Sequence, residues 1–176
     1  MIPVGWNFNP STWPSRLFVI ILSSIGLAIA GYMAFYQFDI INNFYEPFFG
    51  EGSIIILNSP VSEILPIPDA ALRALAYFTD AITGIIGGTA RWRKMPWIVL
   101  IFGTAVGPVG AISILLVILQ PMLYDAWCTL CLCTALISVL MIGPAMAEYL
   151  ATLQYIRQET NKGRSFWKTV LGYKNQ

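Results

Sequence analysis

The sequence predicts an all-α fold, an integral membrane four-helix bundle. Hydrophobic residues make up 57% of the 176 residues and charged residues only 11%, far from the composition of a soluble domain. Three runs free of charged residues are each long enough to cross a bilayer of about 30 Å as a helix. These runs are 17–38, 95–124 and 126–147. We therefore expect a single membrane domain, 1–176, with spans at about 16–38, 68–88, 96–123 and 126–150.

The first predicted span, about 16–38, follows an N-terminal segment without the pattern of a cleaved signal peptide. Small residues recur along it and let helices approach closely in lipid. They are Ser23, Ser24, Gly26, Ala28, Ala30, Gly31 and Ala34. We expect this span to be buried in the bundle or against a partner.

A long loop and a more polar second span follow. The loop, 39–67, mixes acidic and aromatic residues, which is typical of a segment lying on the membrane surface or capping a bundle. The second span, about 68–88, carries Asp69, Arg73 and Asp80 on one helical face, and the first two can pair across one turn. Because lipid does not tolerate a charge at the depth of Asp80, this face should look into the bundle, a water-filled pocket or another protein.

The third and fourth spans form an antiparallel hairpin, since only a short turn near Asp125 separates them. Pro108 lies near the middle of the third span, where a lost backbone hydrogen bond predicts a bend. The fourth span should leave the membrane as a continuous helix. The tail, 161–176, interleaves basic and aromatic residues like an amphipathic segment on an anionic inner leaflet. A net charge of only +1 argues against nucleic acid as a partner.

The basic residues predict the orientation. Nine of the ten lie at the ends that four spans would place on one side: Arg16, Arg91, Arg93, Lys94, Arg157, Lys162, Arg164, Lys168 and Lys174. The positive-inside rule therefore predicts that both termini and the connection between spans two and three are cytoplasmic. The long loop and the start of the fourth span should face the periplasm or the cell exterior, where disulfides persist.

A Cys-x-x-Cys pair, Cys128 and Cys131, opens the last apolar run. The first cysteine lies near the positive end of the predicted helix, which favours a thiolate, and the second can close a disulfide with it. Zinc shares this spacing, but a structural zinc site needs four ligands. The chain has no histidine and only one further cysteine, Cys133, so we expect no metal. A redox-active pair and a pair that only packs, as thiols or a static disulfide, both remain open.

These features resemble the vitamin K epoxide reductase family. The shared features are four spans, a long outer loop after the first, and the Cys-x-x-Cys at the outer start of the fourth. The likeness covers about 16–157 and is strongest in Leu57-Asn58-Ser59, Ile67-Pro68, Leu75-Ala76-Tyr77 and 127–132. It implies a bacterial-type oxidoreductase of the inner membrane that passes electrons between thiols and a quinone, ubiquinone or menaquinone.

The resemblance also implies site residues. Cys128 and Cys131 would be the redox pair, with Cys131 nearer the quinone. Ser59 corresponds to the serine that ends the outer loop of the family, and Asp69 to an asparagine that bonds the quinone. Ala135 stands where some members have a quinone-bonding tyrosine. The predicted cofactor-binding residues are thus Asp69, Ser59, Trp127 and Ala135.

One departure from the family leaves two functions open. Family members carry a second cysteine pair in the outer loop, whereas 38–68 here contains no cysteine and Ser53 takes one of those positions. In the first function, Cys128 accepts electrons from a periplasmic thiol protein and the pair passes them to a quinone. In the second, the chain is a non-catalytic membrane subunit of a larger redox or photosynthetic complex, binding quinone or lipid. The retained pair favours the first; the missing loop cysteines and Ala135 favour the second.

Overall fold

The computed structural model describes residues 2–60 and 68–172, which form seven helices and no strand. The helices are α1 Trp13–Gln37, α2 Gly52–Leu57, α3 Asp69–Ile85, α4 Arg91–Lys94, α5 Pro96–Tyr124, α6 Thr129–Asn161 and α7 Phe166–Val170. The prediction of an all-α fold is confirmed for these residues. Two predicted segments, 61–67 of the outer loop and 173–176 of the tail, lie outside them.

Three helices, α1, α5 and α6, are long and apolar enough to cross a membrane. The chain is therefore a multi-pass membrane protein. The predicted second span corresponds to α3, which has only 17 residues. At 1.5 Å per residue α3 is about 25 Å long, a little short of a hydrocarbon core of about 30 Å. A fourth span at α3 remains a prediction.

The helix α3 runs antiparallel to α1 in close contact. A Cβ atom at Gly26 of α1 would lie 2.7 Å from the ring of Tyr77, and one at Gly84 of α3 would lie 2.8 Å from Ile20. Such distances are shorter than real Cβ contacts, so a larger residue at either position would force the facing side chain to move. The small residues of α1 therefore serve partly to admit α3, whereas Gly31 faces open space.

The hairpin of α5 and α6 is confirmed. It turns at Asp125, which adopts a left-handed backbone with φ of 47°, a conformation that aspartate tolerates better than most residues. A Cβ at Gly103 of α5 would collide with the ring of Tyr149 on α6. The helix α5 continues through Pro108 and Pro121 to Tyr124, so it extends slightly beyond the predicted end at 123.

Two buried arginines bond the backbone at the C-terminal end of α3, which lies near the first residues of α1 and α5. Arg16 donates hydrogen bonds of 2.6–3.0 Å to the carbonyl oxygens of residues 84–87. Arg91 donates to the carbonyl oxygens of Thr83 and Ile86. The last carbonyl groups of a helix have no partner within the helix, so these two side chains supply the missing donors.

Arg91 also forms a buried ion pair with Glu148 of α6. Its Nε lies 2.6 Å from Glu148 Oε1, and its Nη2 donates to Oε2 of the same carboxylate. The hydroxyl of Ser11 donates to this carboxylate as well. The two charged side chains are only 1% and 3% exposed. The pair therefore links the N-terminal segment, α4 and α6 at one end of the bundle.

We expect Glu148→Ala to lower the free energy of unfolding by about 3–5 kcal/mol, because it leaves the Arg91 guanidinium buried without its counter-charge. Thermal and denaturant unfolding in detergent would measure the loss. The matched control is Glu159→Ala, whose partners Lys162 and Arg164 are 68% and 50% exposed, and which should cost about 0–1 kcal/mol. Equal losses in the two variants would contradict the structural role of the buried pair.

Candidate redox site

Cys128 and Cys131 form a disulfide at the start of α6, with Cα atoms 5.2 Å apart. Cys128 is the N-cap residue, and its Sγ accepts a hydrogen bond of 3.1 Å from the N–H of Cys131. The two-residue spacer brings the second cysteine one turn above the first, so the bridge closes without distorting the helix. Cys133 is free and exposed on another face.

The disulfide lies between three helices and is almost fully buried. Cys128 is 0% exposed and Cys131 is 5% exposed. The Sγ of Cys131 lies 3.9 Å from the Sδ of Met33 on α1. On the opposite side, Oε1 of Gln120 on α5 accepts a hydrogen bond of 3.2 Å from the N–H of Cys128. The position of the pair is therefore fixed by α1 and α5 as well as by its own helix.

A cavity of about 30 Å³ adjoins the disulfide on the side of Cys131; we call it the outer cavity. Its apolar walls come from α2 and α5 and include Ile56, Leu116 and Leu119. Its polar groups come from Ser59, Asp69, Arg73 and Gln120. An apolar pocket with a few convergent polar groups is the usual form of a small-molecule site.

The outer cavity brings together three of the predicted site residues, Cys131, Ser59 and Asp69. Cys128 lies behind Cys131 and does not line it. Trp127 is 39% exposed, and Ala135 is buried one turn further along α6; neither residue borders the cavity.

Arg73, one of the residues that line the outer cavity, is held by hydrogen bonds to both α3 and α6. It is 4% exposed. Its Nη2 donates to Asp69 Oδ2 at 2.6 Å, and its Nη1 donates to Thr134 Oγ1 at 2.9 Å. The hydroxyl of Tyr77, one turn further along α3, donates to the Thr134 carbonyl oxygen at 2.6 Å. The predicted Asp69–Arg73 pair is thus confirmed, and the predicted inward orientation of this face of α3 is confirmed with it.

Sequence reasoning did not identify Gln120 as a site residue. It is 4% exposed and holds the backbone of Cys128 while also lining the outer cavity. The available signal was an amide in an otherwise apolar run, 95–124, eight residues before the first cysteine of the pair. A buried polar group in such a run needs a hydrogen-bond partner, and here the partner is the redox motif itself.

The outer loop is attached to the motif through Glu46. Its carboxylate accepts hydrogen bonds from the hydroxyls of Ser53 and Thr129 and, at 3.4 and 3.5 Å, from the N–H groups of Phe48 and Phe49. Burial is the largest single effect and favours the neutral acid, but the hydrogen bonds together outweigh it and lower the pKa of Glu46 below its ordinary value.

The same loop also touches the motif at Gly52, the first residue of α2. A Cβ there would collide with the carbonyl oxygen of Trp127, so the backbone of α2 lies directly on the motif. We call residues 46–59 the outer cap. It contacts both sequence neighbours of Cys128, Trp127 and Thr129, and Cys128 has no exposed surface. The cap therefore closes the outer face of the disulfide.

Residues 17–146, well over half of the chain, match the profile of the Vitamin K epoxide reductase family. The match includes α1 from residue 17 onward, the outer cap, α3, the outer cavity and the cysteine pair. Comparisons with curated proteins and with solved structures give no match. Within the described residues, no group of three or more His, Cys, Asp or Glu side chains is placed to hold a metal ion. The chain belongs to the vitamin K epoxide reductase family, whose members are membrane thiol oxidoreductases linked to quinones.

Proposed function

We propose that this protein is a thiol–disulfide oxidoreductase in which the Cys128–Cys131 pair oxidises an extracytoplasmic dithiol and is reoxidised by a quinone, ubiquinone or menaquinone. The observation that carries the proposal is a disulfide whose inner sulfur, Cys131, borders a cavity with Asp69 and Arg73. Family membership supports the class of chemistry.

The reaction balances through the pair. A thiolate of the substrate attacks Sγ of Cys128, which breaks the disulfide, forms a mixed disulfide and releases Cys131 as a thiolate. The second substrate thiol then attacks the mixed disulfide, so the substrate leaves oxidised and both cysteines are thiols. When the two cysteines close their disulfide again they release two electrons and two protons, which a quinone held beside Asp69 and Arg73 would accept.

The lining of the outer cavity suits a quinone in its chemistry. Leu116, Leu119 and Ile56 offer apolar contacts for a ring. Arg73 offers guanidinium N–H groups beside Asp69, and the side-chain amide nitrogen of Gln120 donates no hydrogen bond to any residue that the structure describes. Carbonyl oxygens of a quinone are acceptors for such donors. The cavity volume of about 30 Å³ is far below the roughly 300–1,000 Å³ of typical ligand pockets, so ring binding requires the apolar walls to move.

We also propose the orientation in the membrane. The end of the bundle that carries Arg16, Arg91 and the basic tail is cytoplasmic by the positive-inside rule, so the disulfide and the outer cap are periplasmic in a bacterial inner membrane. In this arrangement α3 is the second of four spans in one domain. The internal hydrogen bonds of Arg73, Tyr77 and the last carbonyl groups of α3 favour that position, although the buried Oδ1 of Asp80 has no partner within the described residues.

The outer cap determines how an external thiol reaches the pair. Because Cys128 is 0% exposed, attack on its Sγ requires the cap to open. The hydrogen bonds of Glu46 to Ser53 and Thr129 connect the cap to the motif and must break in that opening. Family members have cysteines in this loop, whereas this chain has Ser53, whose hydroxyl donates a hydrogen bond to the Glu46 carboxylate.

The test of the proposed function starts from purified protein whose disulfide has been reduced and the reductant removed. A short-chain quinone is added, quinol is measured by absorbance, and free thiols are trapped with a maleimide. We expect one quinol per protein and the loss of two trapped thiols. Cys133→Ser should behave like the wild type, since Cys133 is outside the pair, whereas Cys131→Ser should produce no quinol. If the number of maleimide-labelled thiols per protein is the same with and without quinone, the proposal is contradicted.

A second test concerns the outer cap. We expect Glu46→Gln to speed reduction of the disulfide by a soluble phosphine about tenfold, which corresponds to about 1.4 kcal/mol, because the amide oxygen of Gln replaces charge-assisted hydrogen bonds with weaker neutral ones. The control is Glu51→Gln, an exposed carboxylate at the N-cap of α2. Equal reduction rates in the wild type and Glu46→Gln would show that the hydrogen bonds of Glu46 do not hold the outer cap closed.

The same measurement has an expected pH dependence. The pKa of Glu46 is lowered while the cap is closed. The ionised carboxylate therefore stabilises the closed cap fully above the ordinary carboxyl pKa, and this stabilisation is lost as the pH falls through the lowered pKa. The rate ratio of Glu46→Gln to wild type should therefore fall towards one in acid. A ratio that stays constant with pH would show that the carboxylate charge plays no part.

A further inference from the structure

A second cavity, of about 320 Å³, lies at the opposite end of the bundle from the disulfide; we call it the inner cavity. It is enclosed by residues 2–4, α4 and the last turns of α6. The N-terminal wall is fixed by Gln154 of α6, whose amide donates 2.8 Å to the Val4 carbonyl oxygen and accepts 3.0 Å from the indole nitrogen of Trp6. The cavity is therefore built from segments that are distant in sequence.

The inner cavity carries an excess of positive charge. Arg93, Lys162 and Arg164 line it together with one carboxylate, Glu159. Both Lys162 Nζ and Arg164 Nη1 lie 2.9 Å from oxygens of Glu159. In these pairs Lys162 and Arg164 are 68% and 50% exposed, and Glu159 is 12% exposed. Among the described residues the lining thus holds three cations and one carboxylate, a net positive charge that attracts an anion.

The same cavity has apolar and unpartnered groups. Ile2 and Val4 line it and are 57% and 71% exposed. Trp92, in its wall, packs edge-on against Tyr155 with ring centroids 5.8 Å apart. The buried indole nitrogen of Trp92 has no hydrogen-bond partner within the described residues. An anionic oxygen is the kind of acceptor that this donor lacks.

We propose that the inner cavity binds the headgroup of an anionic phospholipid from the cytoplasmic leaflet. The phosphate lies among Arg93, Lys162 and Arg164, and the acyl chains leave past Ile2 and Val4. A membrane lipid is favoured over free phosphate because exposed apolar side chains lie next to the charged ones. Basic pockets between helices at the cytoplasmic side are known to hold such headgroups. The proposal is independent of the redox chemistry at the other end of the bundle.

The test is native mass spectrometry of the purified chain titrated with phosphatidylglycerol or phosphatidylcholine of identical acyl chains. We expect tighter binding of phosphatidylglycerol, and a loss of at least about tenfold in that affinity when Lys162→Ala and Arg164→Ala are combined. Lys168→Ala is the matched control, since Lys168 is an exposed cation of α7 outside the cavity; it should bind like the wild type.

Two further arms use only the wild type, so they hold even if the double variant folds poorly. Binding of phosphatidylglycerol should weaken with salt while that of phosphatidylcholine does not. Inorganic phosphate at millimolar concentration should not displace the lipid. Equal affinity for the two lipids, an equal loss in Lys168→Ala, or displacement by inorganic phosphate would each overturn the proposal.

Discussion

The arrangement of this bundle depends on one constraint: α3 carries buried polar groups, and buried polar groups need hydrogen-bond partners. The chain supplies partners to several of them, whereas the buried Oδ1 of Asp80 has none within the described residues. Arg73 and Tyr77 bond to α6 through Thr134, and the carbonyl groups at the other end of α3 are bonded by Arg16 and Arg91. These contacts fix α3 at both ends, between α1 and α6.

The position of the site follows from that attachment. With its first turn held beside α6, α3 presents Asp69 and Arg73 to the cavity next to Cys131. Gln120 then links the third long helix to the motif by bonding the backbone of Cys128. The disulfide is thus enclosed by three helices and by the outer cap, and both the thiol substrate and the quinone need local movement to reach it. Exchange in this protein is therefore expected to be controlled by access as much as by sulfur chemistry.

Features encoded by local pattern could be predicted from the sequence. Uninterrupted apolar runs gave α1, α5 and α6, the spacing of Cys128 and Cys131 allowed a disulfide, and the four-residue separation of Asp69 and Arg73 gave their ion pair. The predicted span of about 68–88 is longer than α3, Asp69–Ile85. The apolar content of this segment does not show that Arg16 and Arg91 bond the last carbonyl groups of the helix.

The parts that were missed depend on contacts between distant segments. Arg16 and Arg91 were read as charges that mark the cytoplasmic side, but both turn inward, since a sequence does not show which helix end lacks donors. Glu46 belongs to the loop that was predicted to lie on the membrane surface or to cap the bundle, and the sequence does not show that it bonds Thr129, 83 positions away. Ala135 was assigned by resemblance; it is buried and does not line the outer cavity, and its role stays a prediction.

Photolabelling with a light-activated quinone analogue, followed by peptide mapping, tests directly for a quinone site beside Cys131. We expect label in the walls of the outer cavity, at 56–59, 69–73 and 116–124, and less label when an unmodified quinone competes. Label confined to other lipid-facing surfaces, with those three segments unmodified, would contradict a quinone site beside Cys131.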